Sequence, residues 1–162
     1  MFKVSNDKFL QELKIIMEKQ IFKSNDNRYP CIVFDIDGTL INPHTNEIIK
    51  SVVDFFHHCK QSGIKIIIVT ARPGTEHNIK HTIGLLENLG IYNRYYKFMR
   101  PDLYYENRQR EYKENARKEI LKDHEIIMSL GDMPFDIDTY CNVGVLVKST
   151  EKDMIEYNIE YH

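Results

Sequence analysis

Four runs of consecutive apolar, largely β-branched residues recur along the chain: CIVFD from Cys31, IKIIIVT from Ile64, EIIMSL from Glu125 and VGVLV from Val143. Runs without polar alternation describe strands buried on both faces, unlike the strands of a sheet with one wet face. Between them lie stretches with helical spacing, IIKSVVDFFHHCKQSG, TEHNIKHTIGLLENLG and REYKENARKEILKDH, and the shorter runs YYKFMR and FDIDTYC, also read as strand-like. This alternation predicts an α/β fold, a doubly wound parallel sheet of about five strands. Gly63 and Gly90 stand where helix C-terminal glycines belong.

A further helix precedes the pattern. Residues 6–23 set Phe9, Leu10, Leu13, Ile16, Met17 and Gln20 at helical spacing, with Asn6 or Asp7 as the cap. We read its apolar stripe as a cover for the core, with a homodimer contact as the alternative. The 162 residues then form one domain, a 1–28 extension followed by a 31–148 core.

With 22 Lys and Arg against 24 Asp and Glu, the net charge of -2 does not point to a nucleic-acid or membrane partner. Any anionic ligand must be met by a local site. Cys31, Cys59 and Cys141 are odd in number and widely spaced, which fits buried thiols in a reducing compartment better than a disulfide framework or a zinc site. Charges interrupt every apolar run near the N-terminus, and nothing approaches the roughly 18 apolar residues of a membrane span. A soluble cytoplasmic protein without a signal peptide is the expectation.

The run CIVFD leads into Asp35-Ile36-Asp37-Gly38-Thr39-Leu40, with two carboxylates two residues apart at the carboxyl end of a buried strand. That end is where an open α/β sheet binds its ligand. Two acids so placed divide the labour of phosphoryl transfer: Asp35 attacks phosphorus, and Asp37 protonates the leaving alkoxide and then deprotonates water. The next strand ends in Thr70-Ala71-Arg72-Pro73, offering the Thr70 hydroxyl at the same edge. After EIIMSL comes Gly131-Asp132-Met133-Pro134-Phe135-Asp136, a second acidic pair at a strand end. An attacking carboxylate and a dianionic phosphate repel, so a hard cation with oxygen ligands is needed, and magnesium suits. Its expected ligands are the Asp35 carboxylate, the Asp37 backbone carbonyl and Asp132, with Asp136 orienting the shell or a bound water. A cation must also face Asp35. Lys113, Arg117 and Lys118 are the candidates; each is an ordinary solvated helix charge on the bland reading, and Glu114 with Lys118 makes an i, i+4 surface pair. Lys113 is preferred, partly for its place near the helix start and partly for the family resemblance that follows.

DIDGTL, Thr70, Lys113 and GDMPFD, in this order, resemble the four motifs of the haloacid dehalogenase (HAD) superfamily over residues 31–148. The second acid, Asp37, resembles the phosphatase and phosphotransferase branches. The resemblance implies that the first and fourth motif strands are neighbours, with the second beside the first. It also implies phosphate contacts from Gly38, Thr39, Ala71 and Arg72. YKENARKEIL followed by GDMPFD is similar to class B acid phosphatases and related nucleotidases, and Phe98-Met99-Arg100-Pro101-Asp102 is similar to the 3'-phosphatase domains of polynucleotide kinases. No P-loop of the kinase half occurs.

No folded cap domain fits between Asp37 and Ile64 or between Ala71 and Tyr112, so a capless, open site is expected. Its rim is the connector Pro101–Arg110, where Tyr104, Tyr105, Arg108 and Arg110 offer aromatic stacking and charge for a base and a phosphate, or else form an ordinary solvated loop. The expected function is a Mg2+-dependent phosphomonoester hydrolase acting on a phosphorylated small molecule, such as a nucleotide, or on a nucleic-acid end. A catalytically idle binding module and a phosphotransferase are the alternatives.

Overall fold

The structure, a computed structural model, describes residues 2–24, 27–151 and 153–162. The chain opens with β1 (Phe2–Ser5) and α1 (Asn6–Lys23), then runs β2 (Tyr29–Phe34), α2 (Lys50–Gln61), β3 (Lys65–Pro73), α3 (Glu76–Asn88), β4 (Tyr96–Met99), α4 (Pro101–Tyr105), α5 (Gln109–Ile120) and β5 (His124–Gly131). A 3-10 turn (Pro134–Asp136), β6 (Val143–Thr150) and β7 (Met154–Tyr161) follow.

All seven strands form one sheet in the order β1-β7-β6-β5-β2-β3-β4. The five from β6 to β4 are parallel, as the continuous apolar runs predict, while β7 and β1 add an antiparallel edge. β2 lies between β5 and β3, the neighbours expected for the motif strands. The edge was not foreseen. Its longer strand nonetheless alternates, with Ile155 and Tyr157 buried between more exposed neighbours.

Successive residues of the central strands feed opposite faces. Ile32 and Phe34 of β2, with Ile66 and Ile68 of β3, pack under α1, α2 and α3 with Phe9, Leu13, Phe55, Phe56 and Leu86. Cys31 and Val33, with Ile67 and Val69, meet Ala116 and Ile120 of α5 on the other face. This is why the strands read as unbroken apolar runs. Burial pushes the three thiols up, Cys31 and Cys141 to about 12, so they behave as apolar packing.

Several local expectations are corrected. The cap of α1 is Ser5, whose hydroxyl accepts from the Lys8 amide at 3.2 Å, and not Asn6 or Asp7. Pairing of Ser5 with Met154 holds it extended, as a cap requires. FDIDTYC forms no strand: it continues from the 3-10 turn into turns and bends. Glu114 pairs with Arg110 at 3.3 Å rather than with Lys118. Between Asp37 and Ile64 the only helix is α2, and the span from Ala71 to Tyr112 holds α3, β4, the five-residue α4 and the start of α5. Among the described residues no cap domain is inserted. No helix among them is long and apolar enough to cross a membrane.

Candidate active site

Asp35 continues β2 by one residue, its amide donating to the Leu130 carbonyl of β5 at 3.0 Å. The chain then leaves the sheet through a tight turn in which Leu40 and Gly38 donate to the carbonyls of Ile36 (2.9 Å) and Ile41 (2.8 Å). Gly38 has φ +78°, and a Cβ there would lie 2.3 Å from Asp132 Oδ2. The glycine therefore serves two ends: it permits the left-handed backbone and leaves room for an acid from another strand.

Lys113, on the first half of α5, enters from the sheet face opposite α1. Its ammonium is nearly fully buried and stands 2.8 Å from Asp35 Oδ1 and 2.8 Å from Asp136 Oδ1. It also donates to the Val69 carbonyl at 3.0 Å. Asp35 and the Val69 carbonyl thus accept two of its protons, while Asp136 Oδ1 is held as an ion pair. Burial pulls the ammonium down, but Asp35 and Asp136 more than offset this, so its pKa lies above the usual lysine value. Asp136 Oδ2 accepts from the Met133 amide at 3.1 Å. A Cβ on Gly131 would meet the Asp136 side chain at 2.2 Å.

Asp37 faces a different cation. Arg72 donates to both its oxygens, Nε to Oδ2 at 2.9 Å and Nη2 to Oδ1 at 2.8 Å. Nη1 donates to Thr82 Oγ1 of α3 at 3.2 Å, so the guanidinium is fixed from behind. Such a fork is the strong, directional form of the carboxylate pair. Thr70 Oγ1 accepts from the Arg72 amide at 3.1 Å, leaving its own proton to donate.

An open cavity of about 400 Å³ lies over this edge, lined by Asp35, Asp37, Ala71, Arg72, Lys113 and Asp132 on its polar side. Pro73, Tyr104, Met133 and Phe135 give it an apolar wall, and Asp136 and Gln109 complete it. Gly38, Thr39 and Thr70 do not line it: Thr39 is fully buried with its hydroxyl unpaired, and Thr70 is 1% exposed. The wall residues Pro73, Met133 and Phe135 were not singled out from sequence, although each sits beside a motif residue at a strand end. The rim arginines face acids of their own: Arg100 pairs with Asp102, Arg108 with Glu106 and Glu111, and Arg110 with Glu114 and Asp138. Arg110 also lies over the Phe135 ring. Tyr105 is 83% exposed and does not line the cavity.

The carboxylates fit a hard cation. One oxygen from each of Asp35, Asp132 and Asp136 can lie within 4.8 Å of the others. Burial pushes the Asp35 carboxyl well up, with Lys113 opposing and the charges of Asp136 and Asp132 adding to the rise. Burial also raises Asp132, partly offset by its hydrogen bond with Asp35. Acids held together against their own repulsion form the donor set that a divalent ion relieves. The Asp37 carboxylate is turned toward Arg72 instead.

Arg117 is a correction of its own. It is 1% exposed, not a solvated helix charge, and its Nε donates to the Thr139 carbonyl at 2.9 Å.

A parallel sheet with acids from adjacent strand ends, and a lysine delivered by the helix before the last of them, is a HAD Rossmann-like architecture. Residues 41–154 match the family described as HAD superfamily, subfamily IIIB (acid phosphatase), and the chain belongs to that family. The match begins beyond DIDGTL and so does not rest on the first acidic pair. The putative phosphatase YxeH of Bacillus subtilis (strain 168) is 44% identical over 45 residues, which are 28% of this chain and 16% of that protein. The class C acid phosphatase from Bacillus anthracis matches with a TM-score of 0.62 at 17% identity, covering 83% of this chain and 64% of that one. The same enzyme with tungstate bound matches with a TM-score of 0.62 at 18% identity. The chain thus spans less than two thirds of the length of each of these relatives.

Proposed function

We propose that this protein is a magnesium-dependent phosphomonoester hydrolase that works through an aspartyl-phosphate on Asp35. The observation that carries the reading is the buried Lys113 ammonium, 2.8 Å from both Asp35 and Asp136, beside Asp132 and opening on a cavity that Asp37 also lines. Family membership supports the reaction class, and tungstate, bound by the Bacillus anthracis enzyme, is a tetrahedral oxyanion like phosphate.

In the first half-reaction a carboxylate oxygen of Asp35 forms a bond to phosphorus as the bond from phosphorus to the ester oxygen breaks. Asp37, entering this step in its protonated form with one oxygen turned out of the Arg72 fork, gives that proton to the departing alkoxide. In the second, Asp37 takes a proton from water, the water oxygen bonds to phosphorus, and the Asp35–phosphorus bond breaks to release inorganic phosphate. Lys113 keeps one Asp35 oxygen occupied, so the other is the nucleophile. Arg72 orients the Asp37 carboxylate, and its outer edge, with the Ala71 backbone, borders the phosphate. Thr70, buried behind the cavity, accepts from the Arg72 amide and so helps to hold that residue in place. Magnesium, held by Asp35, Asp132 and the Asp37 carbonyl with Asp136 behind them, would neutralise the repulsion between nucleophile and phosphate.

A small substrate is favoured over a polynucleotide end, because the rim arginines already face carboxylates and the wall of Tyr104, Met133 and Phe135 suits a compact apolar or ring-shaped leaving group. Phosphate release from a panel of aryl and nucleoside monophosphates and a 3'-phosphorylated oligonucleotide, with and without Mg2+, tests this. Turnover of the small esters only with metal is expected; preference for the oligonucleotide would reverse the substrate assignment, and no release from any of them would sink the hydrolase.

Magnesium binding should also be proton-linked. Asp35 and Asp132 have raised values in the metal-free fold, so it binds more protons than the unfolded chain above the ordinary carboxylate range near 3.9, and its stability falls as pH rises through that window. Magnesium needs the ionised acids, so its stabilisation grows in the same direction. At about 100 times its Kd it adds about 2.7 kcal/mol, or roughly 5–10 °C in Tm for a chain of this size. Thermal melts with and without Mg2+ at pH 7.5 and pH 5 should show the larger shift at pH 7.5; equal shifts would count against these ligands.

A further inference from the structure

We propose that Arg117 is a positioning residue for the acidic loop, fixing the turn after Asp136 and so the place where Asp136 and Lys113 stand behind the metal-binding carboxylates. The inference rests on the metal-dependent reading above.

Arg117 follows Lys113 by one helical turn, so both cations leave the same face of α5. Lys113 reaches Asp136, and Arg117 reaches the residues just beyond it. Nε donates to the Thr139 carbonyl at 2.9 Å, Nη2 donates to Thr139 Oγ1 at 3.1 Å, and Nη2 lies 3.6 Å from Asp138 Oδ1. Neither Thr139 nor Asp138 lines the cavity. A guanidinium with a side-chain exposure of 1% is costly unless its fork is satisfied, and the partners it has found all belong to this one turn. The opposite side of the loop is tied to the sheet, where Ser129 Oγ donates to the Asp136 carbonyl at 2.6 Å. One helix therefore grips the loop with three cations: Arg110 at Phe135 and Asp138, Lys113 at Asp136, and Arg117 at Thr139. Without Arg117, the Thr139 end of the loop loses its tie to α5.

A plain packing strut would also be buried, but its loss would lower stability without singling out the metal site. Arg117→Lys keeps the charge and loses the planar fork. Thr139→Val removes the hydroxyl acceptor with little change in shape. Phe9→Leu, in the core beside the Tyr157 ring, serves as a destabilised control far from the loop. Magnesium affinity is measured by calorimetry at a temperature where each variant is folded by circular dichroism. For Arg117→Lys we expect Mg2+ binding weakened by about tenfold or more, as when the support of a metal ligand is lost. Its kcat on p-nitrophenyl phosphate should fall while KM stays within about twofold, since Arg117 does not touch the cavity. Thr139→Val should move Mg2+ affinity the same way by less, and Phe9→Leu should lower Tm alone.

Parental Mg2+ affinity in folded Arg117→Lys overturns the proposal, as does an equal loss in Phe9→Leu. If Arg117→Lys does not fold, Thr139→Val decides, and unchanged affinity there overturns it. A parent protein that binds Mg2+ but hydrolyses no ester sinks the phosphatase reading and leaves this calorimetric comparison intact. A parent that binds no Mg2+ overturns this inference too.

Discussion

Asp35→Asn is expected to leave a folded protein whose release of phosphate from an aryl phosphate is lower by about 10⁴-fold or more, the scale seen when a covalent nucleophile is removed. The amide matches the carboxylate in shape but cannot form the phosphoenzyme. The fold should survive because Lys113 retains Asp136 and the Val69 carbonyl as partners. Burial already opposes the Asp35 charge, so a neutral side chain there should leave the metal-free Tm at or above that of the parent. Phosphate release and a thermal melt on the same preparation make the comparison, and parental turnover in a folded variant would end the covalent mechanism.

Lys113→Met should damage both stability and activity. It removes the cation between two buried carboxylates and leaves them facing each other. Breaking a buried pair from one side costs about 3–5 kcal/mol, roughly 6–20 °C in Tm for a chain of this length. Asp35, already raised, would rise further, so the variant should regain stability as pH falls and the acid takes up its proton. A metal-free melt at pH 7.5 and pH 5 reads both effects. A variant as stable as its parent at pH 7.5 would mean that Lys113 does not compensate these acids.

What could be read in advance followed from features local in sequence. Unbroken apolar runs revealed the parallel strands because each is covered on both faces, and DIDGTL and GDMPFD brought their acids to the strand ends as contiguous segments. Interactions across the fold were harder. Arg72 and Asp37 are 35 residues apart, and nothing in TARP says that its arginine turns back on the first motif. Arg117 looked like any cation on a polar helix, because its acceptors lie 22 residues on, in a stretch mistaken for a strand. Glu114 has a cation one turn away on either side, Arg110 and Lys118; in the structure it pairs with Arg110, which also meets Asp138. The period-two pattern of Ile155, Tyr157 and Ile159 is legible but lies past residue 148, beyond the motif-bearing core. β1, only four residues long, carries too little signal to be read.

That short strand sets an order of events in folding. Phe2–Ser5 has one strand neighbour, Met154–Tyr161, with Val4 set opposite Ile155. Closing this edge joins segments about 150 residues apart, a larger loop to close than any pairing of the parallel centre requires. The parallel centre, by contrast, can gather β2, β3 and β5 before β7 is in place. Completion of the edge is therefore a late step in folding, taken after the parallel centre has formed.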